Sequence, residues 1–111
     1  LSTRLAALER SGIARDRVIT DPGIGFGKTA QHNVDLLSNI GVLRELNRPV
    51  LIGHSRKRFL AKVLGRPVEE RTFGTIGVAI AVAAQGADII RVHDVRETRD
   101  ALLAWHAIIN P

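Results

Sequence analysis

Three short clusters hold most of the residues that could do chemistry on a small molecule. They are Asp21-Pro22-Gly23-Ile24-Gly25-Phe26-Gly27-Lys28-Thr29, Gly53-His54-Ser55-Arg56-Lys57-Arg58 and Arg91-Val92-His93-Asp94. In the first, an ionised Asp21 offers acceptor oxygens in a fork that fits a planar N–H/NH2 edge. The alternate glycines let backbone approach a ligand closely. Their G-x-G-x-G spacing is not the dinucleotide fingerprint, and a Walker A loop would need glycine where Pro22 stands. The plainer reading is a tight turn capped by Asp21.

In the second cluster, three adjacent cations repel one another unless an anion or a carboxylate lies among them. Lys57 could donate to a carbonyl or a ring nitrogen. Ser55 and Arg56 could hold a small polar ligand, and His54 suits packing as well as binding. The plainer reading is a solvated basic loop. In the third, Arg91 sits among apolar strand residues, where a charge is expensive without a partner. With His93 on the same face it suits an anion such as a phosphate. The plainer reading is a salt bridge from Arg91 to Asp21 or Asp94. No second His or carboxylate stands at metal-ligand spacing from His93 and Asp94. Ser55 has no neighbour that would complete a nucleophilic triad.

The elements around these clusters alternate in kind. Leu1, Leu5 and Leu8 predict a helix over 1–11, stopped at Gly12. It starts at the first residue without a capping group, so a preceding segment is expected. A strand over 17–21 ends at Pro22-Gly23. A long helix over about 31–46 carries Leu36, Ile40 and Leu43 on one face and tolerates Gly41 inside. Arg48-Pro49 ends it. A second strand covers 50–53 and a short helix covers 59–64, stopped by Gly65 and Pro67. Thr72 or Thr75 could cap the next helix, which runs to Gln85 with Gly86 as its stop. That helix is apolar nearly all round, which predicts burial on more than one side. A third strand covers 88–92, with Ile89, Arg91 and His93 on one face. Asp94 and Glu97 resemble a capping box for a last helix bearing Leu102, Trp105 and Ile109. Strand–helix alternation predicts an α/β fold with a parallel sheet. Parallel folds place their sites at the C-terminal strand ends, where all three clusters lie. Asp21 and Ser55 are 34 residues apart, and Ser55 and His93 are 38 apart. Neighbouring strands would bring them to one mouth.

The chain has 111 residues, one domain at most, with 45% hydrophobic and 24% charged residues, an ordinary globular mix. No apolar run approaches the ~20 residues of a membrane helix. No secretory leader pattern is present, so a cytoplasmic address is expected. The absence of cysteine excludes disulfides, thiolate metal sites and Cys nucleophiles. The net charge is +5, and thirteen of the sixteen cations are arginine. They are scattered, and aromatic residues are 4%, so neither a nucleic-acid nor a membrane partner is expected.

With these three ordered motifs, the sequence closely resembles the C-terminal part of the dihydropteroate synthase family, across essentially all of residues 1–111. The resemblance implies the last three βα units of a TIM (β/α)8 barrel, an incomplete barrel running from the fifth helix to the eighth. It implies condensation of para-aminobenzoate with 6-hydroxymethyl-7,8-dihydropterin diphosphate, giving 7,8-dihydropteroate and diphosphate in folate biosynthesis. By the same resemblance Asp21, Gly53 and Lys57 would bind the pterin. Gly25, Phe26, Ser55 and Arg56 would shape the para-aminobenzoate side. Arg91 and His93 would take the diphosphate, and Lys57, Arg91 and His93 would be the catalytic set. Mg2+ would accompany the diphosphate, with its ligands outside this segment. A homodimer through the last helices is also implied. The segment alone is expected to be inactive. The rival readings are a methyltetrahydrofolate-binding methyltransferase barrel and a non-catalytic half-barrel module.

Overall fold

A small parallel sheet carries the three polar clusters, and its hydrogen bonds set their spacing. The computed structural model describes all residues, Leu1–Pro111. In chain order the elements are α1 (Ser2–Arg10), a 3-10 turn (Arg15–Arg17), α2 (Ala30–Leu37), α3 (Ile40–Arg44), β1 (Leu51–Ile52), α4 (Phe59–Leu64), a 3-10 turn (Val68–Glu70), α5 (Thr72–Ala84), β2 (Ile89–Ile90) and α6 (Val95–Ile109). β1 and β2 are parallel, with Leu51 opposite Ile89 and Ile52 opposite Ile90. Thr20 makes a parallel bridge to Val50. Pro49 and Leu51 bond toward Thr20, while Val50 and Ile52 bond toward β2. β1 is therefore the middle strand, and the order brings all three clusters to one edge of the sheet.

The paired segments are shorter than the sequence predicts. The strand expected over 17–21 is reduced to Thr20, and its start is a 3-10 turn. The Arg48 side chain is one reason. It donates to the Val18 carbonyl at 2.8 Å and the Asp16 carbonyl at 3.0 Å, which satisfies acceptors a longer ladder would have used. Similarly, the Asp88 carboxylate accepts the Val50 N–H at 2.9 Å in place of a strand carbonyl.

The long helix expected over 31–46 is two helices with a break at Ser38-Asn39. The Ser38 hydroxyl donates back to the Val34 carbonyl at 2.7 Å, and the Asn39 amide to the Asp35 carbonyl at 2.8 Å. Such back-bonding competes with the helical ladder. The Gln85 side chain fills the gap, accepting from Ile40 N at 3.0 Å and donating to the Leu37 carbonyl at 2.7 Å. Thr29 caps α2 by accepting the His32 N–H at 3.1 Å.

The core is Ile24, Leu37, Ile40, Val50, Ile52, Phe59, Leu60 and Val82. These residues join the helices to one face of the sheet, and burying each contributes about 1.5–3 kcal/mol. On α5 the buried residues are Thr75, Ala79 and Val82, an i, i+4, i+7 stripe. The opposite face, with Gly77, Ala81 and Ala84, is exposed, so this apolar helix is buried on one side rather than more. That face also carries Phe73, one turn before Gly77 and 88% exposed. On the predicted α6 stripe, Leu102 and Trp105 are half-buried and Ile109 is exposed. The other face of the sheet is open, with Ile19 and Ile89 exposed. Seventeen of 111 residues are buried, in a slab of 44 × 38 × 21 Å.

Candidate functional site

The first loop is shaped by three side chains that bond to its backbone. Asp21 Oδ1 accepts the Gly23 N–H at 2.8 Å, the turn-capping role that the plainer reading gave it. Its remaining acceptor capacity stays exposed at the sheet edge. Buried Asn33 accepts the Gly25 N–H at 2.9 Å. Lys28 donates to the Gly23 carbonyl at 2.8 Å and the Phe26 carbonyl at 3.1 Å. Gly25 has φ +88, and a Cβ there would lie 3.0 Å from Lys57 Cδ. Conformation and close approach both call for glycine at that position.

Lys57 reaches across from the second cluster to this loop. Its ammonium donates to the Ile24 carbonyl and lies 4.7 Å from the centre of the exposed Phe26 ring. The donor-to-carbonyl role expected of Lys57 is thus made within the chain, with a cation–π contact beside it. Burial holds its pKa below the ordinary lysine value, and nearby Arg91 adds to the shift. Asp21 opposes it, and Lys28 lowers it further. Those neighbours place Asp21, Lys57, Arg91 and Lys28 in one electrostatic cluster.

Arg91 lies over Gly53. A Cβ on Gly53 would fall 2.7 Å from Arg91 Nη2, so the glycine makes room for the guanidinium. The salt bridge of the plainer reading, from Arg91 to Asp21 or Asp94, does not form. The chain's ion pairs are Arg15–Glu9, Arg56–Asp94 and Arg66–Glu70. Arg56 has taken Asp94, with Nη2 at 2.6 Å from Oδ1 and Nε at 3.2 Å from Oδ2. Thr72 also donates to Asp94 Oδ2, at 3.3 Å. The hydrogen bond from Arg56 holds the Asp94 carboxyl below its usual range. Asp94 therefore makes no side-chain cap on α6, and neither Thr72 nor Thr75 caps α5. Two hydrogen bonds between opposite charges outweigh a cap made to uncharged backbone N–H groups.

Ser55 and His93, 38 residues apart, meet. The Ser55 Oγ is 2.7 Å from His93 Nδ1 and accepts the His93 N–H at 3.1 Å. Ser55 Oγ and His93 Nδ1 share one hydrogen bond, and with the hydroxyl as its donor the imidazole carries its own proton on Nε2. His54 is fully buried, and its Nε2 lies 2.8 Å from the Thr75 carbonyl. A carbonyl only accepts, so Nε2 carries the proton, and Nδ1 is buried without a partner. Burial holds the His54 pKa low, more than the Thr75 contact raises it, so the ring is neutral packing.

The three clusters therefore converge, with Asp21 and Lys57 toward one side of the mouth and Arg91 and His93 toward the other. Ser55 and Arg56, assigned by resemblance to para-aminobenzoate, spend their strongest donors on His93 and Asp94 in this conformation. No long-range pattern marks Asn33 or Lys28 as braces of the loop, or Thr75 as an acceptor beneath Arg56. A buried polar residue on an otherwise apolar helix face is the one pattern that could have marked Asn33 and Thr75.

The sequence matches the family described as Pterin binding enzyme over residues 1–93. The dihydropteroate synthase of Escherichia coli (strain K12) is 40% identical over 107 residues, covering 96% of this chain and 38% of that protein. The solved dihydropteroate synthase of Yersinia pestis superposes with a TM-score of 0.93 at 37% identity, covering 99% of this chain and 52% of that one. The Xanthomonas albilineans enzyme in complex with 7,8-dihydropteroate gives a TM-score of 0.94 at 44% identity, covering 96% and 41%. The chain spans about two-fifths of the length of the curated relative from E. coli. Family match, identity and superposition agree with the geometry at the sheet edge: the chain belongs to the family of pterin-binding enzymes.

Proposed function

We propose that these residues form the last three strand–helix units of a (β/α)8 barrel, within a dihydropteroate synthase. The complete protein would join para-aminobenzoate to 6-hydroxymethyl-7,8-dihydropterin diphosphate and release diphosphate. The observation that carries this is the meeting, at one sheet edge, of a carboxylate and a lysine with an arginine that no carboxylate balances and a histidine held by Ser55. The open sheet face with exposed Ile19 and Ile89 supports the barrel reading, because a barrel fills its interior with such side chains. The Xanthomonas albilineans relative was solved with 7,8-dihydropteroate and with 4-aminobenzoic acid, both parts of this chemistry.

In this reading Asp21 accepts from the pyrimidine edge of the pterin. Lys57 donates to the pterin's polar atoms, and Gly53 lines the slot beneath Arg91. Gly25 and Phe26, with Ser55 and the free edge of Arg56, bound the arylamine. The neutral aryl amine attacks the pterin methylene while the C–O bond to diphosphate breaks, its electron pair leaving on the diphosphate oxygen. The amine then gives its proton to solvent. No strong base is needed, so the enzyme's work is orientation and charge stabilisation. Arg91 and the Nε2–H of His93 meet the leaving anion. The chain has no group of three or more His, Asp or Glu side chains that could hold a metal ion. A magnesium ion bound with the diphosphate would neutralise part of the charge on the leaving group, and among residues 1–111 that stabilisation is assigned to Arg91 and His93.

Asp21→Asn in the complete enzyme tests the pterin assignment. Asparagine keeps the oxygen that accepts the Gly23 N–H, so melting should be unchanged. Pterin diphosphate binding, read by titration calorimetry, should weaken about ten-fold, the loss of one charge-assisted hydrogen bond. Unchanged affinity would reject the role. The exposed face of α5, with Phe73 beside Gly77, Ala81 and Ala84, suits a second copy of the chain, as a homodimer. Sedimentation of the complete protein as monomer alone at high concentration would remove that part of the proposal.

A further inference from the structure

Arg56 has φ +54, a left-handed backbone that side chains other than glycine rarely adopt. It stands between the two residues whose side chains reach furthest across the mouth. Ser55, before it, bonds to His93 beyond β2. Lys57, after it, bonds to the Ile24 carbonyl on the side of Thr20. An extended chain would not send these two side chains to opposite neighbours of β1 from so short a span. The reversal at Arg56 does.

The surroundings hold Arg56 at its backbone N–H, its carbonyl and one edge of its guanidinium. Its N–H donates to the Thr75 hydroxyl at 2.9 Å, and Thr75 is fully buried. Its carbonyl accepts from Arg71 Nη1 at 3.1 Å. Its guanidinium is gripped by Asp94, itself bonded by Thr72. The neighbouring His54 is tied to the Thr75 carbonyl. Strained residues persist only where the surroundings over-determine them, and such residues gather at functional sites. Four of the five groups involved come from α5 or the residue just before it, and none of these was assigned to substrate.

We propose that Thr75, with Arg71 and Asp94, is a positioning device that locks Arg56 in its left-handed conformation. Arg56 then acts chiefly as the pivot that aims Ser55 and Lys57, rather than as the main ligand of the arylamine carboxylate. Thr75 is the keystone, because it is buried and bonds both to Arg56 through its hydroxyl and to His54 through its carbonyl. This rests on the synthase reading for its kinetic consequence, though the clamp itself does not.

The test uses the complete enzyme and Thr75→Val, which keeps the shape and removes the hydroxyl. The KM for para-aminobenzoate, through Ser55, and the KM for the pterin diphosphate, through Lys57, should both rise about five-fold, with kcat changed less than about two-fold. Thr75→Ser should restore both. A loss confined to one substrate, a fall in kcat with both KM values unchanged, or failure of serine to rescue would each overturn the proposal. Asp94→Asn supplies the same split from a partly exposed position if Thr75→Val does not fold. Amide hydrogen exchange over residues 54–58 reads the clamp without turnover. It should quicken about ten-fold in Thr75→Val and return in Thr75→Ser, and unchanged exchange would overturn the clamp. A wild-type protein that makes no dihydropteroate would sink the synthase reading and leave the exchange result standing.

Discussion

Arg91→Ala in the complete enzyme should lower kcat by about 10²–10³-fold, the loss that follows removal of one preorganised donor from a developing anion. Arg91 has no carboxylate partner, and unlike Lys28 and Lys57 it does not spend its donors on loop carbonyls. Asp94 is taken by Arg56, and Asp21 by the turn at Gly23. A guanidinium already balanced by a carboxylate would have little field to give. This one keeps its donors for a ligand, and a planar fork of N–H groups matches phosphate oxygens. Because charge grows on the diphosphate as the C–O bond breaks, the loss should fall on kcat more than on binding. Arg91→Lys should recover part of it, keeping the charge without the fork. Gly53→Ala is the sharper arm. Its methyl would lie 2.7 Å from Nη2 and must push the guanidinium aside. The displaced group is the far end of a flexible side chain, so Tm should hold while kcat falls. Steady-state assays with diphosphate release as the readout decide it. Retention of wild-type kcat by Arg91→Ala would reject the assignment.

Much of this arrangement was legible in the sequence because its signals are local. The helix over 59–64 has the predicted bounds, and the apolar helix from Thr72 differs by one residue at its end. The convergence of the clusters followed from the alternation of strands and helices. What the sequence misled on came from long-range competition. Asp94 and Glu97 do carry a capping pattern, yet an arginine 38 residues earlier offers a stronger partner. The break at Ser38-Asn39 has a local cause in back-bonding, but it is sealed by Gln85, 45 residues from Ile40. Strand lengths failed for the same reason, since Arg48 reaches 30 residues back to the Val18 carbonyl. A left-handed Arg56 could not be foreseen, because no turn residue marks it. That position departs from local preference, and functional sites are where such departures are expected.

Lys57→Met should lower kcat/KM by about 10²-fold with no loss of stability, the upper range for a charge-assisted hydrogen bond. Methionine keeps the length needed to pack against Gly25 and Phe26, and it removes the ammonium. The same surroundings that make Lys57 useful make it costly to the fold. It is partly desolvated and close to Arg91 and Lys28, and only Asp21 opposes them. The sign of its pH effect follows. The folded-state pKa is lowered, so in the alkaline range below the ordinary lysine value the native protein sheds this proton before the unfolded chain does. The unfolded state then binds more protons, and stability attributable to Lys57 rises with pH across that window. Below the folded-state pKa both states are charged, and the full penalty is carried by the native state. Thermal melts of wild type and Lys57→Met across neutral to alkaline pH check this. The variant should match or exceed wild-type Tm near neutral pH, with the difference narrowing as pH rises. A variant that loses stability at neutral pH would mean that the Ile24 and Phe26 contacts outweigh the crowding of charge. A variant that keeps full activity would remove Lys57 from the site.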